Sequence, residues 1–171
     1  MALALQLGAG GDAGAIAAAT ALLMGMRASE VTDRTVRDLD DCGRVLVIPR
    51  AKTRAGVRRL RIPDTLQPLL AKLAAGKAPT DRLFGPQANR YWLRIVVRRL
   101  CTLAGTPVVG PHGLRGTHAT LAVQAGTTGD VVAAALGHES FAITAASYAK
   151  AEAVASARTH QIEASLLNNH A

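Results

Sequence analysis

Apolar and polar positions follow two rhythms along this chain, and the first change of rhythm falls near residue 43. Before it, Ala15 to Met24 is rich in alanine and leucine, a composition of high helix propensity that predicts a buried helix ending near Gly25. A second helical stretch starts around Ala28, which places Arg27 at the junction. From Gly43 the period shortens. Arg44-Val-Leu-Val-Ile-Pro49 and Val57-Arg-Arg-Leu-Arg-Ile-Pro63 are β-branched runs flanking residues 51–56, the pattern of a hairpin with a basic tip. Helical spacing then returns over Thr65 to Ala75, followed by a loop over Gly76 to Gln87 that contains two prolines. Asn89 to Leu103 is the clearest amphipathic helix, with Leu93, Val96, Val97, Leu100 and Leu103 on one face and Arg90, Arg94 and Arg98 on another. Further helices are predicted at Leu114 to Ala125, Asp130 to Leu136 (stopped by Gly137), Phe141 to Ala149 and Glu152 to Leu167. The class is mainly α with a small antiparallel β-hairpin, an α+β fold in one domain spanning residues 1–171.

Composition sharpens this picture in two ways. Hydrophobic residues make up 49% of the chain but aromatics only 3%, so aliphatic side chains and alanine must build the core through closely packed helices. The net charge of +8 points to phosphate polyanions as partners, and the scarcity of rings disfavours a stacking platform for single strands; double-stranded DNA is the expected ligand. Cys42 and Cys101 lack any C-x-x-C spacing and are read as reduced structural thiols, with no metal site. The weakly charged stretch Met1 to Met26 has no preceding basic residue and is interrupted by Gly8 to Gly14 with Asp12, so neither a signal peptide nor a membrane span is expected. A cytoplasmic, nucleoid-associated location follows.

One motif competes for attention. Leu3 to Leu7, then Gly8-Ala-Gly10-Gly-Asp-Ala13, then an alanine-rich helix imitates the strand, glycine loop and helix of a dinucleotide-binding fold. That fold needs a second apolar strand ending in an acid about 20 residues on, and Met24-Gly-Met-Arg-Ala-Ser-Glu30 offers none. A dinucleotide-binding enzyme is therefore a remote alternative.

The chemistry concentrates elsewhere. His112-Gly-Leu-Arg115 opens a helix, where i, i+3 spacing puts both side chains on one face, able to reach one phosphate. Leu136-Gly-His138 sets a histidine just past a helix end, and Tyr148 follows ten residues later. Gly25-Met-Arg27-Ala-Ser-Glu30 supplies another arginine with a carboxylate one turn on to orient it, and Lys52 is a cation at the hairpin tip. Singly, each residue has an ordinary reading: surface decoration, a satisfied core histidine, a packing tyrosine.

In this order and spacing, however, they resemble the tyrosine recombinase (phage integrase) family, whose landmarks are G-[LM]-R-x-S-E, a hairpin K-T, H-x-L-R, L-G-H and a tyrosine about ten residues later. The resemblance covers about Ala15 to Lys150. It implies the tyrosine recombinase catalytic-domain fold, Tyr148 as nucleophile, Arg27 and Arg115 as clamps on nonbridging phosphate oxygens, and His112 and His138 as donors or proton carriers. It further implies Lys52 as general acid and Glu30 as a support. Arg50, Arg54, Arg58, Arg90, Arg94 and Arg98 are expected DNA contacts. No cofactor is implied, neither ATP nor metal, because the phosphotyrosine bond keeps the energy of the broken phosphodiester. Self-association on DNA as a tetrameric synapse is implied as well, with the stripe Ala153, Val154, Ile162, Leu166 and Leu167 a candidate for docking on a neighbour. Two departures stand out: Gly116 occupies a position where the family commonly has histidine, and the chain begins almost on the catalytic region, so the family's usual N-terminal DNA-binding domain is expected to be absent. The alternative of a different kind is a catalytically silent, truncated DNA-binding remnant.

Overall fold

The computed structural model describes residues 1–50 and 56–137. Among them the order is α1 (Ala2–Ala9), α2 (Ala13–Leu23), α3 (Ala28–Thr32), β1 (Leu39–Asp40), β2 (Val45–Ile48), β3 (Arg58–Arg61), α4 (Gln67–Ala74), α5 (Arg90–Leu103), α6 (Pro111–Gln124) and α7 (Gly129–Leu136). The mainly helical class with a small antiparallel sheet is therefore the one the pattern predicts.

Helix α2 is the centre of the packing. Asp12 caps it by accepting a hydrogen bond from the Ala15 backbone N–H at 3.0 Å, and Ala15, Ala17, Ala18, Ala19 and Ala21 are all buried. Methyl side chains let α1, α5 and α6 approach closely; a Cβ on Gly14 would stand 2.9 Å from a Val96 methyl of α5. The same capping disposes of the dinucleotide alternative. Leu3 to Leu7 lies in a helix rather than a strand, and Asp12 serves a helix end rather than a nucleotide turn.

The sheet runs β1-β2-β3, antiparallel throughout, with Leu46 opposite Leu60 and Ile48 opposite Arg58. Leu46, Ile48 and Ile62 have no exposed surface, each contributing about 2 kcal/mol of burial. Strand β1 was not foreseen; two residues carry too little alternation to register. Helix α5 forms as predicted, with the Asn89 side chain accepting from the Trp92 N–H at 2.9 Å, but Leu103 is 62% exposed and Cys101 is buried near its end instead. Helix α6 starts three residues before the predicted Leu114, because Pro111 presets the first helical φ. Cys101 fits its structural reading, whereas Cys42 is exposed in a left-handed turn (φ 55°). A second, smaller core joins α6 and α7 through Ala119, Val123, Val132 and Leu136. The helices predicted over 141–149 and 152–167 lie outside the described residues.

Candidate active site

The site is best built outward from Glu30, in the first turn of α3. Its carboxylate accepts from the Arg27 backbone N–H at 2.8 Å, closing the helix start, and from Arg27 Nη1 at 2.8 Å. Two more bonds arrive from β3, Arg58 Nη1 to Oε1 at 3.1 Å and Arg58 Nη2 to Oε2 at 3.0 Å. From α6, Arg115 Nη1 lies 3.9 Å from Oε2. Three guanidiniums thus surround a single carboxylate, leaving the centre cationic. Burial pushes the Glu30 carboxyl up, but the hydrogen bonds from Arg58 and from the Arg27 backbone outweigh it and hold the group at about 2.

Arg115 has no exposed surface. Its Nη1 donates to the Gly25 carbonyl at 2.5 Å and its Nη2 to the Leu136 carbonyl at 2.6 Å, so one side chain ties α6 to the turn before Arg27 and to the last residue of α7. That turn requires glycine: Gly25 has φ +60°, and a Cβ there would meet His118 and Leu136 at 2.7 Å. The Arg27 side chain is 39% exposed, and among the described residues its guanidinium bonds to Glu30 through Nη1, which leaves part of the fork facing outward.

The remaining residues named from sequence fall into three groups. His112 is exposed at the second position of α6, so the shared face expected for His112 and Arg115 resolves into one surface ring and one buried guanidinium. Arg50 is exposed just past β2, and Arg90, Arg94 and Arg98 are exposed along α5; the Arg94 guanidinium stands 5.7 Å from the centre of the exposed Tyr91 ring. Arg58 departs from the outward position expected of a DNA contact. Its side chain is 8% exposed, and besides Glu30 it donates to the carbonyls of Gly56 (2.8 Å) and Ala135 (2.9 Å). Lys52, Arg54, His138 and Tyr148 lie outside the described residues.

Two participants escaped the sequence reading. Arg34, buried, donates from Nε to the Glu30 carbonyl at 2.7 Å and from Nη1 to the Val47 carbonyl at 2.9 Å and Asp38 at 3.3 Å. His118, one turn beyond Arg115, donates from Nδ1 to the Leu22 carbonyl at 3.0 Å; burial lowers its pKa, the carbonyl opposes that, and the Arg115 charge adds to it. The i, i+3 step from Arg115 was a usable signal for His118. Arg34 has i, i+4 spacing to Asp38, but in sequence that pair looks like any solvated one. Among the described residues no three His, Cys, Asp or Glu side chains are grouped to hold a metal ion, and no helix is long and apolar enough to cross a membrane.

Comparison with known proteins adds to this geometry. Residues 14–154 match the model of the phage integrase family. A tyrosine recombinase of Pseudothermotoga lettingae is 31% identical over 132 residues, covering 70% of this chain and 43% of that protein. The tyrosine recombinase XerC of Mycobacterium leprae is 29% identical over 133 residues, covering 70% of this chain and 44% of that protein. The chain thus spans less than half the length of these curated relatives. Among solved structures, the XerA recombinase superposes with a TM-score of 0.71 at 22% identity, over 94% of this chain and 60% of that one. The Tn1549 transposon integrase, in complex with circular intermediate DNA, gives 0.68 at 20% identity over 87% of this chain and 59% of that one. These two likenesses are of fold.

Proposed function

The chain belongs to the phage integrase family of tyrosine recombinases, and from that premise we propose that it is a catalytic domain that cuts and rejoins duplex DNA through a covalent bond between Tyr148 and a DNA 3′ phosphate. The observation that carries this reading is the gathering of Arg27, Arg58 and Arg115 around Glu30, a cationic centre with part of Arg27 open to the outside. In the proposed step Tyr148 passes its phenol proton to His112 as base, its oxygen attacks phosphorus, the bond to the 5′ oxygen breaks, and Lys52 gives that oxygen a proton. Negative charge on the nonbridging oxygens is met by planar guanidiniums, which chelate such oxygens in pairs. A phenol has a pKa near 10, so the cations around the phosphate also favour the reactive phenolate. His112 and His138 serve as further donors. The partner is double-stranded DNA, and recombination proceeds in an assembly of several copies on it.

A second reading, a DNA-binding domain that does not cut, is favoured by one feature. Arg115 is wholly buried with both terminal nitrogens on backbone carbonyls, so it reaches a phosphate only after its surroundings open. One assay separates the two. On a nicked duplex that traps the intermediate, the 171-residue chain and its Tyr91→Phe variant are expected to form a covalent protein–DNA adduct, Tyr148→Phe none, and chelators are expected to change nothing. No adduct with the parent chain supports the silent reading; an adduct with Tyr148→Phe overturns the nucleophile.

A further inference from the structure

Two arginines suffice to clamp a phosphate, yet a third is held against them. Arg58 stands in β3 opposite Ile48, on the strand face that also carries Leu60, and its guanidinium is pinned to four acceptors: both Glu30 oxygens, the Gly56 carbonyl of its own hairpin and the Ala135 carbonyl in the last turn of α7. A group so engaged and only 8% exposed has no edge to offer a DNA backbone. Arg34 complements it from the far side of α3, joining the Glu30 carbonyl to the Val47 carbonyl of β2. Strands β2 and β3 are therefore both fastened to Glu30, β2 through the main chain and β3 through the carboxylate.

We propose that Arg58 is a positioning residue: it fixes Glu30, which orients Arg27, and it joins this cluster to the hairpin on one side and to the end of α7 on the other. The catalytic consequence rests on the function proposed above; the positioning itself does not. The chemistry requires a guanidinium. An ammonium is a single point of charge and cannot span Glu30 and Ala135 at once, whereas a planar fork does so with its hydrogens already aimed. Among the described residues the side chains facing the Glu30 carboxylate are cationic, Arg27 from the start of α3, Arg58 from β3 and Arg115 from α6; Arg34 sits on its carbonyl, and His118, whose pKa burial lowers, stands beside Arg115. Without Arg58 the burial that raises the Glu30 carboxyl would persist while its foremost opponent was gone.

The test follows the Glu30 carboxyl by NMR in glutamate-labelled chain, assigned by its loss in Glu30→Gln, in the parent chain, Arg58→Met and Arg58→Lys. Single-turnover cleavage of the nicked duplex at saturating DNA, and duplex affinity across salt, are measured on the same proteins. The parent Glu30 is expected to stay ionised to the lowest pH at which the chain is folded, and in Arg58→Met its midpoint should move up. Arg58→Lys should slow cleavage by about 10- to 100-fold, the usual cost of a misplaced catalytic group, with little change in duplex affinity. An unmoved Glu30 midpoint in Arg58→Met overturns the proposal. So does an Arg58→Lys variant that cleaves at the parent rate but binds DNA more weakly with a salt slope lowered by about one, the mark of a phosphate contact. If Arg58→Met does not fold, Arg58→Lys decides, and a parent-like cleavage rate sinks the idea. If the parent chain forms no adduct, the proposed function fails while the Glu30 titration still judges Arg58.

Discussion

The chain employs arginine in two opposite ways, and the contrast lies between the cluster around Glu30 and the stripe along α5. In the cluster, Arg58 and Arg115 are buried and end on carboxylate and carbonyl oxygens at hydrogen-bonding distance. In the stripe, Arg90, Arg94 and Arg98 are exposed and one turn apart, meeting solvent. Buried guanidiniums keep their geometry because every alternative leaves a desolvated cation without acceptors; exposed ones keep only their charge. The first region can therefore orient a reacting group. The second can attract a polyanion but not place it.

The sharpest way to break the contrast is to remove the anion at its centre. Glu30→Ala strands three guanidiniums, two of them buried, and should cost about 3–5 kcal/mol of stability, read from urea melts; a loss under about 1 kcal/mol would mean that the carboxylate is not what holds the cluster. Acid should do the same by degrees. Glu30 sits at about 2 in the folded chain against an ordinary 4.5, so its contribution, on the order of 3 kcal/mol, is complete above about pH 4.5 and is lost as pH falls towards 2. Glu30→Gln should lack that part of the acid slope.

Next in size is Gly25→Ala, at about 2–4 kcal/mol by thermal or urea melts, since it combines a left-handed backbone with collisions against His118 and Leu136. Gly43→Ala is the control: its φ is +82° but nothing lies within 4 Å of the added carbon, so only the backbone strain of about 1 kcal/mol should appear. Equal costs at the two positions would show that crowding beside Arg115 is unimportant. The smallest stability effect belongs to the stripe. Arg94→Ala and Arg98→Ala should each leave stability within about 0.5 kcal/mol, while the slope of log affinity for duplex DNA against log salt falls by about one per arginine. An unchanged slope returns the stripe to an ordinary solvated face.

Helical spacing predicted α5, which buries one face over fourteen residues, β-branched runs predicted the pair β2 and β3, and alanine-rich composition predicted α2, which is buried on all sides from Gly14 to Ala21. The predicted order of motifs also anticipated the meeting of Arg27, Glu30 and Arg115. What stayed hidden was direction. Arg58, Arg59 and Arg61 look alike in sequence, and only pairing register separates them: Arg58 shares the inward face with Leu60, while Arg59 turns out to meet Asp40. That alternation was present in the sequence but outweighed by the basic look of the whole run. Arg34 was beyond reach for another reason, since its acceptors include a main-chain carbonyl thirteen residues away, a partner no side-chain pattern encodes. Helix α1 went unpredicted, its run Leu3 to Leu7 noted only as an imitation of a strand, because short apolar runs carry no period of their own.

The alanine face of α2 has a consequence for how this protein can change over generations. A side chain that is only a methyl cannot be trimmed usefully, and where helices already approach this closely any enlargement overpacks, at about 1–3 kcal/mol per site. Drift at Ala15 and from Ala17 to Ala21 is therefore confined to exchanges among the smallest residues, and divergence must accumulate on outward surfaces such as α5. Among homologues, a run of small residues like Ala17 to Ala21, ending four residues before the glycine of the site, should persist as a fingerprint of this packing, even where larger core residues have been traded for one another.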